Sequence, residues 1–231
     1  MQPDEKMAHI REDFSKRSGE YDAEIVRIVP YYEEMLEAAV LSLPFHPESE
    51  VKVVDLGTGT GIFAWRVRHR YPRCHLLCVD MTEEMLAVAR QRFGPGQGIE
   101  FLHKDFYHLE LPPERDAVVS SLALHHLITD DDKKAFYRKV FECLKEGGVF
   151  VTADAVLSSD DWMEDLYMRR WREFMALSLK DAEIESILER YRREDSLPHL
   201  MDQLRWLSEV GFSKVDVVWK RFMGAVVWAR R

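Results

Sequence analysis

Between the apolar run Val51 to Asp55 and a segment of helical period the chain reads Asp55-Leu-Gly57-Thr58-Gly59-Thr-Gly61. This loop constrains the fold more than any other feature. Glycines at alternate positions let the backbone turn tightly and approach a ligand to contact distance, and the helix they open favours negative charge at its first turn. The dinucleotide fingerprint G-x-G-x-x-G would place its last glycine at position 62, where this chain has Ile62. A pyrophosphate site for a nicotinamide or flavin cofactor is therefore not expected.

The loop belongs to a longer alternation. Val51 to Asp55, His75 to Asp80, Ile99 to His103, Ala117 to Ser121 and Val149 to Ala153 are short, β-branched and apolar. Segments of helical period separate them at 61–70, 83–93 and 131–144, punctuated by Pro72, Gly94-Pro95-Gly96 and Gly147-Gly148. Strands alternating with helices in this way predict a parallel sheet covered on both faces. The last two runs, Val215 to Trp219 and Met223 to Ala229, lie too close together for a crossover helix and predict an antiparallel hairpin. The expected fold is α/β and Rossmann-like, a seven-stranded mostly parallel sheet with a C-terminal antiparallel hairpin. Residues 1–45 form a helical lid in this reading, and 158–196 a long helical insertion followed by a helix from His199 to Val210. At 231 residues the chain suits a single domain spanning 1–231.

Two acidic positions follow the loop in order. Asp80 closes the second strand roughly 20 residues on, where a carboxylate can accept both hydroxyls of a ribose across the first crevice of a doubly wound sheet. Asp105-Phe106 follows the third strand, where an acid can take an exocyclic amino group while the neighbouring ring packs on a base. Met81 either packs on the same base or joins the core.

These residues resemble those of the class I S-adenosylmethionine-dependent methyltransferases, which open with an acid and the D-x-G-x-G-x-G spacing. The resemblance implies a cofactor, S-adenosylmethionine, with S-adenosylhomocysteine as product. It implies binding roles for Asp55, Gly57, Thr58, Gly59, Gly61, Asp80, Met81, Asp105 and Phe106. Ser121-Leu-Ala-Leu-His125-His126-Leu matches the family's segment after strand four, placing Ser121 at the methionine end, and Leu144-Lys-Glu-Gly147-Gly148 matches its turn before strand five. Farther upstream, Phe14 to Tyr32 resembles the lid of carboxy-S-adenosylmethionine synthases and their tRNA wobble-uridine methyltransferase relatives. That likeness implies that Tyr32, after Val29-Pro30, touches the cofactor, with Tyr21 in the same lid. Pro30 and Tyr32 equally suit the start of a packed helix. The synthases hold an extra carboxylate with an arginine from a late helix, and Arg190, Arg192 and Arg193 stand in the corresponding region.

Transfer of a methyl from a sulfonium is an in-line displacement that requires positioning and dryness rather than an enzyme nucleophile. An oxygen or nitrogen acceptor needs a base, and His125 or His126 after strand four is the placed candidate; a cap on the following turn is the other reading. Regular structure would let only one of two consecutive histidines face a pocket. Tyr167 and Trp171, on an aromatic stripe in the insertion, either roof an acceptor site or pack in the core.

A net charge of −9 opposes a nucleic-acid partner, so the expected partner is a small-molecule acceptor, with a homodimer open. The N-terminal sequence lacks an apolar leader core and no segment approaches a membrane span, which predicts a cytoplasmic protein. Three cysteines without a matching ligand set predict buried thiols and no metal. Rival readings are a tRNA wobble-uridine modifier or carboxy-S-adenosylmethionine synthase-like enzyme, and a non-catalytic S-adenosylmethionine-binding protein.

Overall fold

A computed structural model describes residues 3–96 and 98–231. The chain begins with three helices, α1 (Pro3–Arg17), α2 (Tyr21–Ile28) and α3 (Tyr32–Leu41). Next come β1 (Lys52–Leu56), α4 (Ile62–Arg70), β2 (His75–Asp80), α5 (Glu83–Phe93), β3 (Ile99–His103) and β4 (Arg115–Ser121). A 3-10 turn at Leu124–His126 leads into α6 (Asp130–Cys143) and β5 (Leu144–Ala155). Helices α7 (Asp161–Met175), α8 (Asp181–Glu194) and α9 (Leu200–Val210) precede β6 (Lys214–Arg221) and β7 (Gly224–Arg230). The first two residues of the expected lid lie outside the described residues.

The seven strands run in the order β3-β2-β1-β4-β5-β7-β6, with β7 alone antiparallel to its neighbours. Strand order reverses between β1 and β4, and this switch point opens the crevice in which doubly wound folds bind ligands. Period-two alternation distributes each strand over both faces. Val53 joins Phe63 and Val67 of α4 and Leu36 of α3 on one side, while Val54 joins Tyr137 of α6 and Leu207 of α9 on the other. A third cluster packs Ile28 of α2 against Trp171 and Met175 of α7 and Ile184 of α8, tying the N-terminal helices to the insertion.

Two expectations change. The 158–196 segment is two helices, with a break at 176–180 where the chain reverses and Lys180 N–H donates to Glu183. Gly147-Gly148 does not interrupt the polypeptide before strand five but lies inside β5, at a register shift against β4. A side chain at Gly148 would meet the Lys145 and Arg115 carbonyls at 2.9 and 3.1 Å, so only glycine allows this close passage.

Candidate active site

The loop after β1 turns back beneath β2, where Thr58 N–H donates to the Val79 carbonyl at 2.9 Å. Gly57, Gly59 and Gly61 all have positive φ, which glycine adopts without the steric cost borne by other residues. Asp80 closes the turn: one carboxylate oxygen accepts from Gly59 N–H at 2.8 Å and the other from Thr82 N–H at 2.9 Å. Each oxygen retains a second lone pair for a ligand. Burial raises the Asp80 pKa against these two donated bonds.

A cavity of about 730 Å³, mouth included, opens above this turn. Gly57, Thr58, Gly59, Asp80, Met81, Asp105, Phe106 and Ser121 line it from the strand ends, and Tyr21 and Tyr32 from the lid. Tyr32 is also the first residue of α3, so it begins a packed helix and faces the cavity at once. Asp105 accepts from Tyr107 N–H, His108 N–H and His108 Nδ1, and although burial opposes it these bonds lower its pKa. The Phe106 ring is held by Phe136, with centroids 5.1 Å apart.

Asp55 and Gly61 lie outside the cavity wall. Asp55 sits behind the loop, 1% exposed, and accepts from the Thr58 hydroxyl at 2.6 Å. An added carbon at Gly61 would stand 3.0 Å from Ala89 Cβ, so this glycine sets the approach of α4 to α5. Sequence reasoning also missed Asp22. It accepts from the Thr60 hydroxyl at 2.5 Å and from Arg92, joining the lid to the glycine loop and α5.

Burial raises the Asp55 pKa from 3.8 to about 7, against the hydrogen bond from Thr58. Between those values the folded protein binds more protons than the unfolded chain, so stability falls as pH rises from about 4 through about 7. Asp55→Asn keeps an acceptor for Thr58 and removes this slope. The variant is expected to melt higher than wild type above pH 7, by about 2–4 °C per kcal/mol recovered, and to lose that advantage in acid. Parallel melting curves at all pH values would refute the assignment.

A second cavity, about 890 Å³ with its mouth, adjoins the first and shares Phe14, Tyr21, Leu122 and His126 with it. Leu122 holds a left-handed backbone at φ 48°, an arrangement that local structure must enforce in a branched apolar residue. Arg17, Arg190, His125, Asp154, Asp195 and Trp171 also line this cavity. Trp171 Nε1 donates to the Ile28 carbonyl at 2.7 Å, fixing the insertion to the lid. Tyr167 is not in its wall. One helical turn earlier on α7, it packs on Phe222 and faces a separate cavity beside Lys220, whose wall Trp171 also joins.

Both histidines line the second cavity, contrary to the expectation of one. The 3-10 turn places their rings 4.2 Å apart, a geometry that the alternation of a strand does not offer. His125 Nδ1 donates to Asp154 at 2.5 Å, and its Nε2 lies 3.7 Å from Asp195. Burial opposes its charge, but the two carboxylates prevail and raise its pKa to about 9. Burial and the adjacent His125 push the His126 pKa well below the usual value.

A doubly wound sheet with an acid-closed glycine loop at its switch point is the arrangement in which α/β folds of this class hold nucleotide ligands. Residues 53–148 match the family model described as a methyltransferase domain. The carboxy-S-adenosyl-L-methionine synthase of Nautilia profundicola is 23% identical over 95% of this chain and 90% of its own length. The S-adenosylmethionine-dependent methyltransferase SibL, in its apo form, superposes with a TM-score of 0.62 at 20% identity over 86% of this chain; the match spans 55% of that chain's length. The protein solved in complex with the Haloferax volcanii Trm112 methyltransferase activator matches over 94% of this chain and 96% of its own, with a TM-score of 0.67 and 16% identity. Residues 53–148 thus match a methyltransferase domain, and the solved structures share the Rossmann-like methyltransferase fold. Among the described residues no helix is long and apolar enough to cross a membrane.

Proposed function

We propose that this protein is a single-domain enzyme that transfers the methyl group of S-adenosylmethionine to a small acceptor held in the second cavity. The observation that carries this reading is the junction of the two cavities at Phe14, Tyr21, Leu122 and His126. In it, Asp80 accepts the ribose hydroxyls, Asp105 takes the adenine amino group, and Met81 and Phe106 pack on the ring. Gly57, Thr58, Gly59 and Ser121 surround the methionine end, and Tyr21 and Tyr32 close the roof. Asp55 and Gly61 shape the loop from behind.

The cofactor supplies an activated methyl on a sulfonium. The chain's own part is to align the acceptor with it and exclude water. His126 at the junction and His125 beside it in the second cavity are the groups assigned to acceptor activation, and Trp171 forms the acceptor wall. Three buried free thiols, Cys74, Cys78 and Cys143, suit a reducing compartment and favour a cytoplasmic location.

Arg17 and Arg190 in the second cavity favour an acceptor or donor that carries a carboxylate. This supports a second reading, formation of a carboxylated S-adenosylmethionine, the product named for the Nautilia relative. Mass spectrometry of the nucleosides after incubation with S-adenosylmethionine and candidate carboxylates separates the two. Methyl transfer gives S-adenosylhomocysteine and a methylated acceptor, whereas the second reading gives a nucleoside heavier by the elements of CO2, with the displaced methyl hydrogen ending on the decarboxylated donor. Bound but unconverted cofactor across a broad acceptor screen would make the chain a binding protein. Trp171→Ala, in a folded variant, is expected to keep cofactor affinity within about threefold while lowering turnover at least about tenfold. Lost cofactor binding with intact acceptor affinity would put Trp171 in the wrong cavity.

A further inference from the structure

His126 is 7% exposed, and neither ring nitrogen makes a hydrogen bond of good geometry among the described residues, the Glu194 backbone carbonyl being only a weak neighbour. An imidazole buried with both nitrogens unsatisfied forfeits the bonds water gave it, and such a group calls for a ligand. The Phe14 ring packs edge-on against one side of His126, with centroids 5.4 Å apart, and a donor set lies on another. Its Nδ1 lies 3.7 Å from an Asp195 carboxylate oxygen, and the same oxygen lies 3.7 Å from His125 Nε2. One donor atom from each of the three residues falls within 4.8 Å of the others. Around a tetrahedral cation with bonds of about 2.0–2.2 Å, neighbouring donors stand about 3.3–3.6 Å apart, so the two Asp195 spacings are close to coordination and the two imidazole nitrogens, within 4.8 Å, must close by up to about 1.2 Å.

We propose that His125, His126 and Asp195 form a site for a divalent first-row transition cation of the zinc class, at the junction of the two cavities. Two imidazoles and one carboxylate match the ligand types such ions select, and three protein ligands leave a position open toward the second cavity.

Asp154 supplies the outer support. It accepts from His125 Nδ1 at 2.5 Å, leaving Nε2 to face Asp195, as in the carboxylate–histidine arrangements that orient metal-binding imidazoles. Asp195 is fixed through its neighbour: Ser196 N–H donates to the His125 carbonyl at 2.9 Å, and the Ser196 hydroxyl donates to the Ile128 carbonyl at 2.7 Å. Lys133 reaches the same segment, donating to the Leu127 carbonyl and Ser196 Oγ. Metal binding displaces the proton from His125 Nε2 to water, and a divalent cation then balances the carboxylates of Asp154 and Asp195 beside two neutral imidazoles.

This inference rests on the reading of the second cavity as the acceptor site. A cation in that position would hold an acceptor hydroxyl or thiol and favour its deprotonated form, the proton leaving to water.

The test uses the full chain, free of any purification tag and stripped with a chelator. Zinc is titrated calorimetrically, and cobalt by the visible absorption that a low-symmetry site gives. One equivalent of each is expected to bind. His126→Ala and Asp195→Asn should each weaken binding at least about a hundredfold, and Asp154→Asn about ten- to a hundredfold through loss of the outer support. No saturable zinc or cobalt binding by folded wild-type protein overturns the proposal. So does one bound equivalent that survives both His126→Ala and Asp195→Asn. If one of these variants does not fold, the wild-type titration and the other variant decide. Titration of metal-free wild type with S-adenosylmethionine, run in parallel, tests the cofactor site separately.

Discussion

Gly57→Ala is expected to lower the melting temperature by about 10 °C, while Gly59→Ala stays within about 5 °C of wild type and loses cofactor affinity. Both glycines have left-handed φ, at 67° and 54°, so each alanine bears a comparable backbone cost of about 1–2 kcal/mol. Their surroundings differ. A carbon added at Gly57 would lie 2.2 Å from Ala123 Cβ, inside any permissible contact, and would touch the Phe106 ring at 3.4 Å. Ala123 is buried in the same core as Leu124 and Leu127 and has nowhere to move, so overpacking adds about 1–3 kcal/mol. A carbon added at Gly59 meets no protein atom within 4 Å, although Gly59 lines the first cavity. The methyl there is expected to crowd the ligand, weakening S-adenosylmethionine at least about tenfold. Thermal melts and calorimetric titration of the two variants decide this. Equal melting temperatures would refute the packing argument, and undiminished affinity in Gly59→Ala would move the ligand away from the loop.

These two glycines show how much the amino-acid pattern revealed. Local rules suffice for the loop, because the turn, the following helix and Asp80 lie close in sequence and at the ends of adjacent strands. The succession of strands and helices and the closing hairpin were legible from periodicity and loop length, whereas Ser121, Tyr21 and Tyr32 of the first cavity were named only from the family resemblance. Gly61 was legible as a special backbone position but not as a spacer, since its neighbour Ala89 comes from a different helix. Tyr167 and Trp171 share a stripe, but which of them faces the cavity depends on where the hairpin docks, and no periodicity contains that.

The histidine cluster was the least legible part. His125-His126 drew attention as titratable groups, but the rule that neighbours face apart holds for a strand and fails in a 3-10 turn. Asp154 stands near the end of β5 and Asp195 just after α8, and no sequence spacing joins them to the histidines. They meet because β5 pairs with β4 and because the insertion folds back as two helices. Lys133, fully buried on α6, looks like part of a solvated charged run in Asp130-Asp131-Asp132-Lys133-Lys134. Its burial follows from the Leu127 carbonyl it must satisfy, a tertiary fact.

Asp80→Ala is expected to weaken S-adenosylmethionine by about ten- to a hundredfold. A charge-assisted hydrogen bond to a buried carboxylate contributes about 1.5–3 kcal/mol, and each 1.4 kcal/mol is tenfold in affinity. The truncation also releases Gly59 N–H and Thr82 N–H, both of which Asp80 holds, so part of the loss comes from a loosened loop. Asp80→Asn separates the two effects. Its amide oxygen can hold one backbone N–H, but its NH₂ must face the other donor and can no longer accept there. Dependence on pH adds an independent reading. Burial raises the Asp80 pKa in the free protein, and hydrogen bonds received from ribose hydroxyls favour the ionised form, so binding releases a proton. Affinity should therefore rise with pH up to the free-protein pKa and then level off, and in Asp80→Asn this contribution should vanish. Wild-type affinity in a folded Asp80→Ala protein, or an Asp80→Asn profile as steep as wild type, would mean that the ribose lies elsewhere.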